Sequence, residues 1–253
     1  MEKIKQALER ARAQRNENGH AESTAAGAIR QIHIDWEHLR EARILTPNDP
    51  NDLFRHFPGF SVTVAKNLKH NNGSSIAIIS ANRGEGKTVL AANLAISMAV
   101  KSTNPVVLID ASAEEPSLSQ YLDLTDQLGL TDYLIDSVPL TDALSCSSEY
   151  RNLFILGSGK RQINELAVLS QDDLSLLNNE LNSIFNDVIL IYDTPSFLHS
   201  IIPTAFSGSI DRFIVVVEDG VTSKADVGYL LKRIDTEQLQ GSVLNKSRQQ
   251  FVS

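Results

Sequence analysis

The sequence predicts an α/β fold built on a doubly wound, mostly parallel sheet. From residue 75 onward, short apolar runs alternate with stretches of helical pattern, and the runs are SIAIIS, PVVLID, NLFILG, DVILIYD, RFIVVVE and SVLN. Runs that are apolar on both faces suit buried parallel strands, and the intervening helices supply the crossovers. The core of this fold is expected to cover about residues 72–248.

Composition limits the class of protein. The chain has 253 residues, of which 42% are hydrophobic and 21% charged, so it can bury a sizeable core. A formal net charge of -8 argues against a surface built mainly to hold nucleic acid, and no nucleic-acid partner is expected. No apolar run approaches the roughly 20 residues of a membrane span. A single cysteine, Cys146, suits a reducing compartment, and a cytoplasmic location is predicted.

Two regions are predicted. Residues 1–70 form an N-terminal extension, and residues 71–253 form the α/β domain. Within the extension, apolar residues at helical spacing predict an amphipathic helix at 2–15, and the polar stretch at 16–30 predicts a flexible linker. The rest of the extension is expected to dock on the core through aromatic side chains, namely Trp36, Phe54, Phe57 and Phe60.

A glycine-bearing loop, ANRGEGKT, lies between the first apolar run and a helical segment. A strand, tight loop and helix in this order direct unpaired backbone N–H groups and a positive helix end at one point, where phosphate is stabilised. Gly84 and Gly86 permit close approach, Lys87 would contact the β- and γ-phosphates, and Thr88 would ligate magnesium. Ala81 stands where the full motif has glycine. The loop predicts a P-loop NTPase fold.

Two apolar runs end in carboxylates, Asp110 and Asp193. Because ligands of open α/β sheets bind at the carboxyl ends of the strands, both are expected near Lys87 and Thr88. The predicted catalytic residues are therefore Lys87, Asp110 and Asp193, and the predicted magnesium ligands are Thr88, Asp110 and Asp193. The alternative is that the two aspartates only form turns.

The segment VLNKSR bears on the choice of nucleotide. Its Asn-Lys pair is reminiscent of a guanine-reading loop, but the aspartate that would pair with guanine is absent and Arg248 lies nearby instead. The predicted cofactors are therefore ATP and Mg²⁺.

The sequence resembles the bacterial tyrosine autokinases of exopolysaccharide and capsule synthesis, which are relatives of the partition and septum-placing ATPases. The likeness covers about residues 34–245. It rests on SANRGEGKTVLAANLA as Walker A, VVLIDA as Walker A′ and DVILIYDTP as Walker B, with support from GLTDYL and NLFILGSG. Upstream, IDWEHLREARILTPNDP resembles the subfamily associated with exosortase-type clusters.

The resemblance implies a cytoplasmic ATP-binding domain that forms homo-oligomers and phosphorylates its own tyrosines. It also implies a partner, either a membrane polysaccharide copolymerase or another exopolysaccharide-cluster protein, which would place the chain peripherally at the inner membrane. The nucleotide-binding residues implied are Gly84, Glu85, Gly86, Lys87, Thr88, Val89 and, near the adenine, Asn245.

The sequence also departs from the family pattern. Where the family has Asp-x-Asp-x-Arg, this chain has Asp110, Ser112 and Glu114, which makes the Walker A′ motif degenerate. Serine binds magnesium more weakly than a carboxylate, and glutamate reverses the charge of the arginine beside a polyphosphate. Ser196 replaces a proline of the Walker B continuation, and no tyrosine follows Tyr229 in the sequence.

Three functions are compatible with these motifs. The first is an ATP-dependent protein-tyrosine kinase, with Tyr121, Tyr133 or Tyr150 as acceptor, although the apolar surroundings of Tyr133 favour a core position. The second is a nucleotide-loaded, catalytically impaired protein whose ATP state controls assembly with a partner. A positioning ATPase ranks last, because Asn82 stands where those relatives carry a lysine. These motifs are compatible both with an enzyme and with a protein that binds ATP without catalysis.

Overall fold

The structure is a computed structural model that describes residues 29–44, 52–112, 117–160, 170–198 and 208–247, with residues 52–56 described by their backbone alone. The predicted helix at 2–15 and most of the predicted linker lie outside the described residues. So do Glu114, Arg248 and the side chain of Phe54.

The described strands form one eight-stranded sheet with the order β1-β4-β5-β3-β6-β2-β7-β8. Neighbouring strands are parallel except for the antiparallel pair β4 and β5. The strands are β1 (Arg30–Ile32), β2 (Ser75–Ser80), β3 (Val106–Asp110), β4 (Leu144–Ser147), β5 (Leu153–Leu156), β6 (Ile189–Asp193), β7 (Arg212–Glu218) and β8 (Leu239–Asn245).

Helices cover both faces of this sheet. They are α1 (Trp36–Glu41), α2 (Asp52–His70), α3 (Lys87–Lys101), α4 (Leu118–Tyr121), α5 (Leu130–Asp136), α6 (Leu140–Ala143), α7 (Gln171–Ile184) and α8 (Lys224–Leu231), with a 3₁₀ turn at Thr236–Gln238. None of the described helices combines the length and the apolar character that crossing a bilayer requires.

The core consists of two apolar layers separated by the sheet. Along β2, Ala77 and Ile79 face the layer formed by α5, α6, α7 and α8, whereas Ile76 and Ile78 face the layer formed by α1, α2, α3 and α4. Every residue of β2, β3 and β6 is buried, which explains why these strands are continuously apolar in the sequence. The predicted doubly wound, mostly parallel α/β fold is confirmed.

Two strands were not among the predicted apolar runs. β4 has the sequence LSCS and is too polar to stand out, although all four residues are buried. β1 pairs in parallel with β4 at the edge of the sheet, so part of the predicted extension completes the sheet. The extension also contributes α2, which packs on α3, and Trp36, whose ring meets that of Tyr150 edge to face at 5.8 Å. The boundary at residue 70 remains a prediction.

The strand order determines where the carboxyl ends of β2, β3 and β6 lie relative to one another. β2 lies between β6 and β7, and β3 lies on the far side of β6. In this register Asp193 pairs with Ile78 of β2 on one side and with Asp110 of β3 on the other. The carboxyl ends of β2, β6 and β3 therefore meet at one edge, at the point where the strand order reverses.

Gly129, the first residue of the GLTDYL segment, packs closely against the backbone of Gly157 and Gly159. A Cβ at Gly129 would lie 2.3 Å from the Gly157 carbonyl oxygen and 2.5 Å from the Gly159 nitrogen, and both of these are backbone atoms. Because backbone cannot move aside cheaply, Gly129→Ala is expected to lower the free energy of unfolding by about 1–3 kcal/mol in urea denaturation.

Gly228→Ala is the matched control. Gly228 lies inside α8 with open space around its Cα, so the added methyl group is expected to raise stability by up to about 1 kcal/mol through helix propensity. Equal unfolding midpoints for the two variants would contradict the packing described here.

Candidate functional site

The loop between β2 and α3 has the backbone that phosphate binding requires. Gly84 and Gly86 have left-handed φ angles of 76° and 99°, a region that glycine enters without strain. Gly86 is the N-cap of α3 and makes no side-chain capping hydrogen bond, so the first N–H groups of the helix are directed at the loop. A Cβ at Gly86 would also lie 2.1 Å from Asn245 Nδ2.

Lys87 lies at the start of α3 with only 4% of its surface exposed. Its Nζ donates to Ser80 Oγ at 2.9 Å, so the ammonium group is held over the last residue of β2. Val89, two residues further along, packs against the apolar layer below the helix. The helix start is therefore anchored by packing, while its charged group stays at the loop.

Thr88 and Asp193 are in direct contact at this edge. Thr88 Oγ1 donates to Asp193 Oδ2 at 2.7 Å, and Asp193 is fully buried at the end of β6. A threonine hydroxyl and a carboxylate are oxygen ligands of the kind that Mg²⁺ prefers, and P-loop proteins use this pair for it. The donor set of these two residues therefore fits a magnesium ion bound with a nucleotide.

Asp110, the other strand-ending carboxylate, makes different contacts. Its Oδ2 accepts from Ser119 N at 2.9 Å and Ser119 Oγ at 2.6 Å, and its Oδ1 accepts from Ser112 N at 3.3 Å. Burial raises the pKa of Asp110 above its ordinary value, and these hydrogen bonds act in the opposite direction. Asp110 lies beside Asp193 in the sheet, but its carboxylate is bound by α4.

The buried side chain of Glu85 connects the phosphate loop to the turn after β7. Glu85 is fully buried, and its carboxylate accepts from the backbone N of Asn82 at 3.1 Å and from the hydroxyl of Thr222. Thr222 Oγ1 in turn accepts from Glu218 N at 2.9 Å. The loop conformation is thus tied to the turn that follows β7. Because the side chain of Glu85 faces this turn, its contribution to the phosphate site is through its backbone.

The end of β8 braces the same loop. Asn245 Nδ2 donates to the Glu85 carbonyl oxygen at 2.8 Å, and Lys246 Nζ donates to the Gly84 carbonyl oxygen at 2.7 Å. Lys246 also pairs with Glu218 at 2.9 Å. Asn245, which the resemblance places near the adenine, therefore lies at the site and contacts the phosphate loop.

Sequence reasoning missed Ser80, Ser119, Thr222 and Lys246. Thr222 and Lys246 follow the carboxyl ends of β7 and β8, so the rule that sites form at these ends points to their loops but not to the individual residues. Ser119 is a small polar residue in an unremarkable segment, and nothing in the sequence connects it to Asp110.

The tyrosines differ in their relation to this edge. Burial raises the pKa of Tyr121 above its ordinary value, and the negative charge of Asp193 raises it further. Tyr133 is 1% exposed, and its hydroxyl donates to Glu180 Oε2 at 2.6 Å, so the expected core position of Tyr133 is confirmed. Tyr150 is half-buried against α1.

A left-handed glycine loop, a buried lysine at a helix start and a threonine–aspartate pair define a P-loop nucleotide-binding domain. The family model described as AAA domain matches residues 73–248. Tyrosine-protein kinase YwqD of Bacillus subtilis is 30% identical over 173 residues, which cover 68% of this chain and 71% of YwqD. The chain belongs to the AAA domain family and to the family of bacterial tyrosine-protein kinases.

Two further similarities extend this result. Succinoglycan biosynthesis transport protein ExoP of Rhizobium meliloti is 27% identical over 215 residues, which cover 82% of this chain but only 27% of ExoP. The kinase domain of Escherichia coli tyrosine kinase ETK has the same fold, with a TM-score of 0.69 over 88% of this chain and 91% of that domain, at 19% identity. The resemblance drawn from the sequence motifs is thereby confirmed at the level of the family.

Asn245 has two candidate roles, bracing the phosphate loop and contacting the adenine, and a comparison of ATP and GTP affinities distinguishes them. If Asn245 acts by bracing the loop, Asn245→Ala is expected to weaken binding of ATP and of GTP equally, by about 0.5–1.5 kcal/mol for the lost hydrogen bond. Isothermal titration calorimetry measures both affinities. Asn179→Ala on α7 is the control, because this exposed residue lies at the opposite edge of the sheet and both affinities should stay unchanged. A loss confined to ATP would instead mean that Asn245 contacts the adenine.

Proposed function

We propose that this chain binds ATP with Mg²⁺ and regulates exopolysaccharide biosynthesis as a tyrosine-kinase relative with a partly degenerate catalytic motif. The observation that carries the proposal is the contact between Thr88 and Asp193 at the mouth of a glycine loop, with Lys87 held beside it. These are the groups that phosphoryl-transfer proteins use to bind and neutralise a polyphosphate.

In this proposal each residue has a defined task. The N–H groups at the start of α3 and Lys87 hold the phosphates, and Gly84 and Gly86 allow the backbone to approach them. Thr88 and Asp193 hold the magnesium ion, which when bound offsets phosphate charge. Glu85, Asn245 and Thr222 keep the loop in its binding conformation through the contacts described above.

Whether this chain transfers a phosphoryl group depends on the residues of its Walker A′ segment. Asp110 is the remaining carboxylate of that segment, and Ser119 and Ser112 already donate to both of its oxygens. Ser112 offers a hydroxyl in place of the second carboxylate, and this hydroxyl is a weaker magnesium ligand. With fewer charged ligands, ATP can stay bound while transfer slows, because catalysis of this reaction is mainly positioning and charge stabilisation.

This arrangement favours a second candidate from a different class. In it, the chain is a nucleotide switch whose ATP state controls assembly and whose kinase chemistry is impaired. The occupied carboxylate of Asp110 is the observation that supports it. A positioning ATPase is supported less, because Asn82, which replaces the lysine of those proteins, binds Glu85 within the loop.

The cellular setting in the proposal follows from the relatives. ExoP matches this chain over a minor part of its own length, which supports a role for this domain beside a membrane polysaccharide copolymerase or another exopolysaccharide-cluster protein. We place the chain in the cytoplasm, peripheral to the inner membrane through that partner and self-assembled as a homo-oligomer. The segment from residue 34 to residue 50 supports assignment to the exosortase-associated subfamily.

Intact-mass spectrometry after incubation with ATP and magnesium tests the proposal. The wild type is expected to retain ATP on native-mass analysis, whereas Lys87→Met is expected to lose it, because that variant removes the charge at the phosphates. Unchanged nucleotide retention by Lys87→Met would contradict the assignment of the site.

The same spectra distinguish the two candidates. A phosphoryl group on tyrosine in the wild type, absent in Lys87→Met, means that Ser112 is tolerated and that the chain is an autokinase. If ATP stays bound and the protein gains no covalently attached phosphoryl group, self-phosphorylation is excluded under those conditions and the nucleotide switch is supported. Tyr121→Phe and Tyr150→Phe then locate an acceptor, with buried Tyr133 as the position least expected to react.

A further inference from the structure

A second cavity lies at the opposite edge of the sheet from the phosphate loop. Its volume is about 460 Å³, within the roughly 300–1,000 Å³ range of small-molecule sites. It opens at the amino ends of β2 and β7, beside one face of α7 and next to the 3₁₀ turn. The nucleotide site described above uses none of the residues that line it.

The lining consists almost entirely of neutral hydrogen-bonding groups. Helix α7 contributes Ser175, Asn178, Asn179 and Asn182, which share one helix face because they are spaced three, four and seven residues apart. This face presents three amides and a hydroxyl to the cavity.

Several of these groups are fixed in place before any ligand arrives. The Tyr192 hydroxyl donates to Asn178 Oδ1 at 2.6 Å, while Asn178 Nδ2 donates to the Ser209 carbonyl oxygen at 2.7 Å. Asp211 Oδ2 accepts from the backbone N of Ser74 at 2.8 Å and from the Ser75 hydroxyl at 2.7 Å. Pre-organised polar groups bind a ligand at a lower entropic cost than mobile ones.

Exposed polar groups remain on this lining. Asn179, Asn182 and Asp211 are exposed residues of the cavity wall. Asn182 Nδ2 donates to the Asn178 carbonyl oxygen at 2.7 Å, which orients the amide. The contacts of Asp211 with Ser74 and Ser75 all use Oδ2. A carboxylate has more acceptor sites than these contacts occupy.

The charge of the lining restricts the ligand class. Its two ionisable groups, Asp211 and Arg212, have opposite signs, and one arginine guanidinium nitrogen already donates to the Glu237 carbonyl oxygen at 2.6 Å. A phosphate or nucleotide site needs an excess of cationic groups or helix N-termini, and the described lining has neither. An apolar ligand would displace water from the exposed Asn179 amide and the Asp211 carboxylate without replacing its hydrogen bonds.

We propose that this amino-edge cavity binds a neutral saccharide unit, whose hydroxyl groups pair with the exposed amides of Asn179 and Asn182 and with the Asp211 carboxylate. Asparagine, glutamine, aspartate and serine side chains offer donors and acceptors in alternation, as a ring of hydroxyl groups requires. The inference goes beyond the proposed function and does not rest on it, since it concerns a different edge of the sheet and a different ligand.

Nuclear magnetic resonance titration of the ¹⁵N-labelled full chain tests the saccharide site. The chain is first saturated with ADP and Mg²⁺, so that the phosphate loop does not contribute. The probes are the methyl glycosides of glucose, galactose and mannose, together with N-acetylglucosamine. We expect at least one probe to bind with a dissociation constant in the millimolar range and to shift the backbone amides of Ser74, Asn182, Asp211 and Gln238.

Two variants and a control show whether the cavity itself is responsible. Asn182→Leu and Asn179→Leu each replace an exposed amide of the lining by an apolar group, and each is expected to weaken binding at least about tenfold. Ser183→Leu adds the same side chain one residue further along α7, outside the lining, and should leave the dissociation constant unchanged.

Three results would overturn the proposal. The first is the absence of shifts with every probe, which would mean that the cavity holds only water. The second is equal binding by Asn182→Leu, Asn179→Leu and the wild type. The third is a larger shift of the same amides with inorganic phosphate than with the glycosides, which would make the cavity an anion site.

Discussion

The turn from β2 into α3 is the constraint on which the rest of the site depends. Gly86 must be left-handed for α3 to begin at Lys87, and its missing Cβ leaves room for the amide of Asn245. The helix that follows is buried along almost its whole length, so it cannot shift to relieve strain in the loop. Glu85 and Asn245 then connect the loop to β7 and β8, and the binding conformation is formed without a ligand.

Two neighbouring carboxylates, Asp110 and Asp193, make different contacts at the same edge of the sheet. Asp110 and Asp193 pair in the sheet, yet Thr88 contacts Asp193 whereas Ser119 contacts Asp110. Ser119 also accepts from Ser158 N at 2.8 Å, so Asp110 joins α4 to the segment after β5. These contacts connect the Walker A′ segment with α4.

The sequence predicted those features that depend on local pattern. The six apolar runs became strands, and the loop residues 81–88 lie at a strand-to-helix turn, because periodicity and glycine placement are local properties. β4 was not predicted because its sequence, LSCS, is too polar to stand out, and its burial depends on pairing with β1, which is distant in sequence. Likewise, the contacts of Asp110 with Ser119 and of Glu85 with Thr222 are set by tertiary packing, which spacing alone does not reveal. Asn245 was placed at the site by resemblance, and the structure adds the loop contact that it makes.

The magnesium dependence of ATP binding would show whether Thr88 and Asp193 form the metal site of the phosphate loop. Calorimetry would compare ATP affinity with and without Mg²⁺ in the wild type and in Thr88→Val, which removes the hydroxyl while keeping the shape of the side chain. We expect Mg²⁺ to tighten ATP binding in the wild type and this gain to be lost in Thr88→Val, while the magnesium-free affinity is retained. The same gain in both proteins would contradict the assignment of Thr88 and Asp193 as the magnesium site.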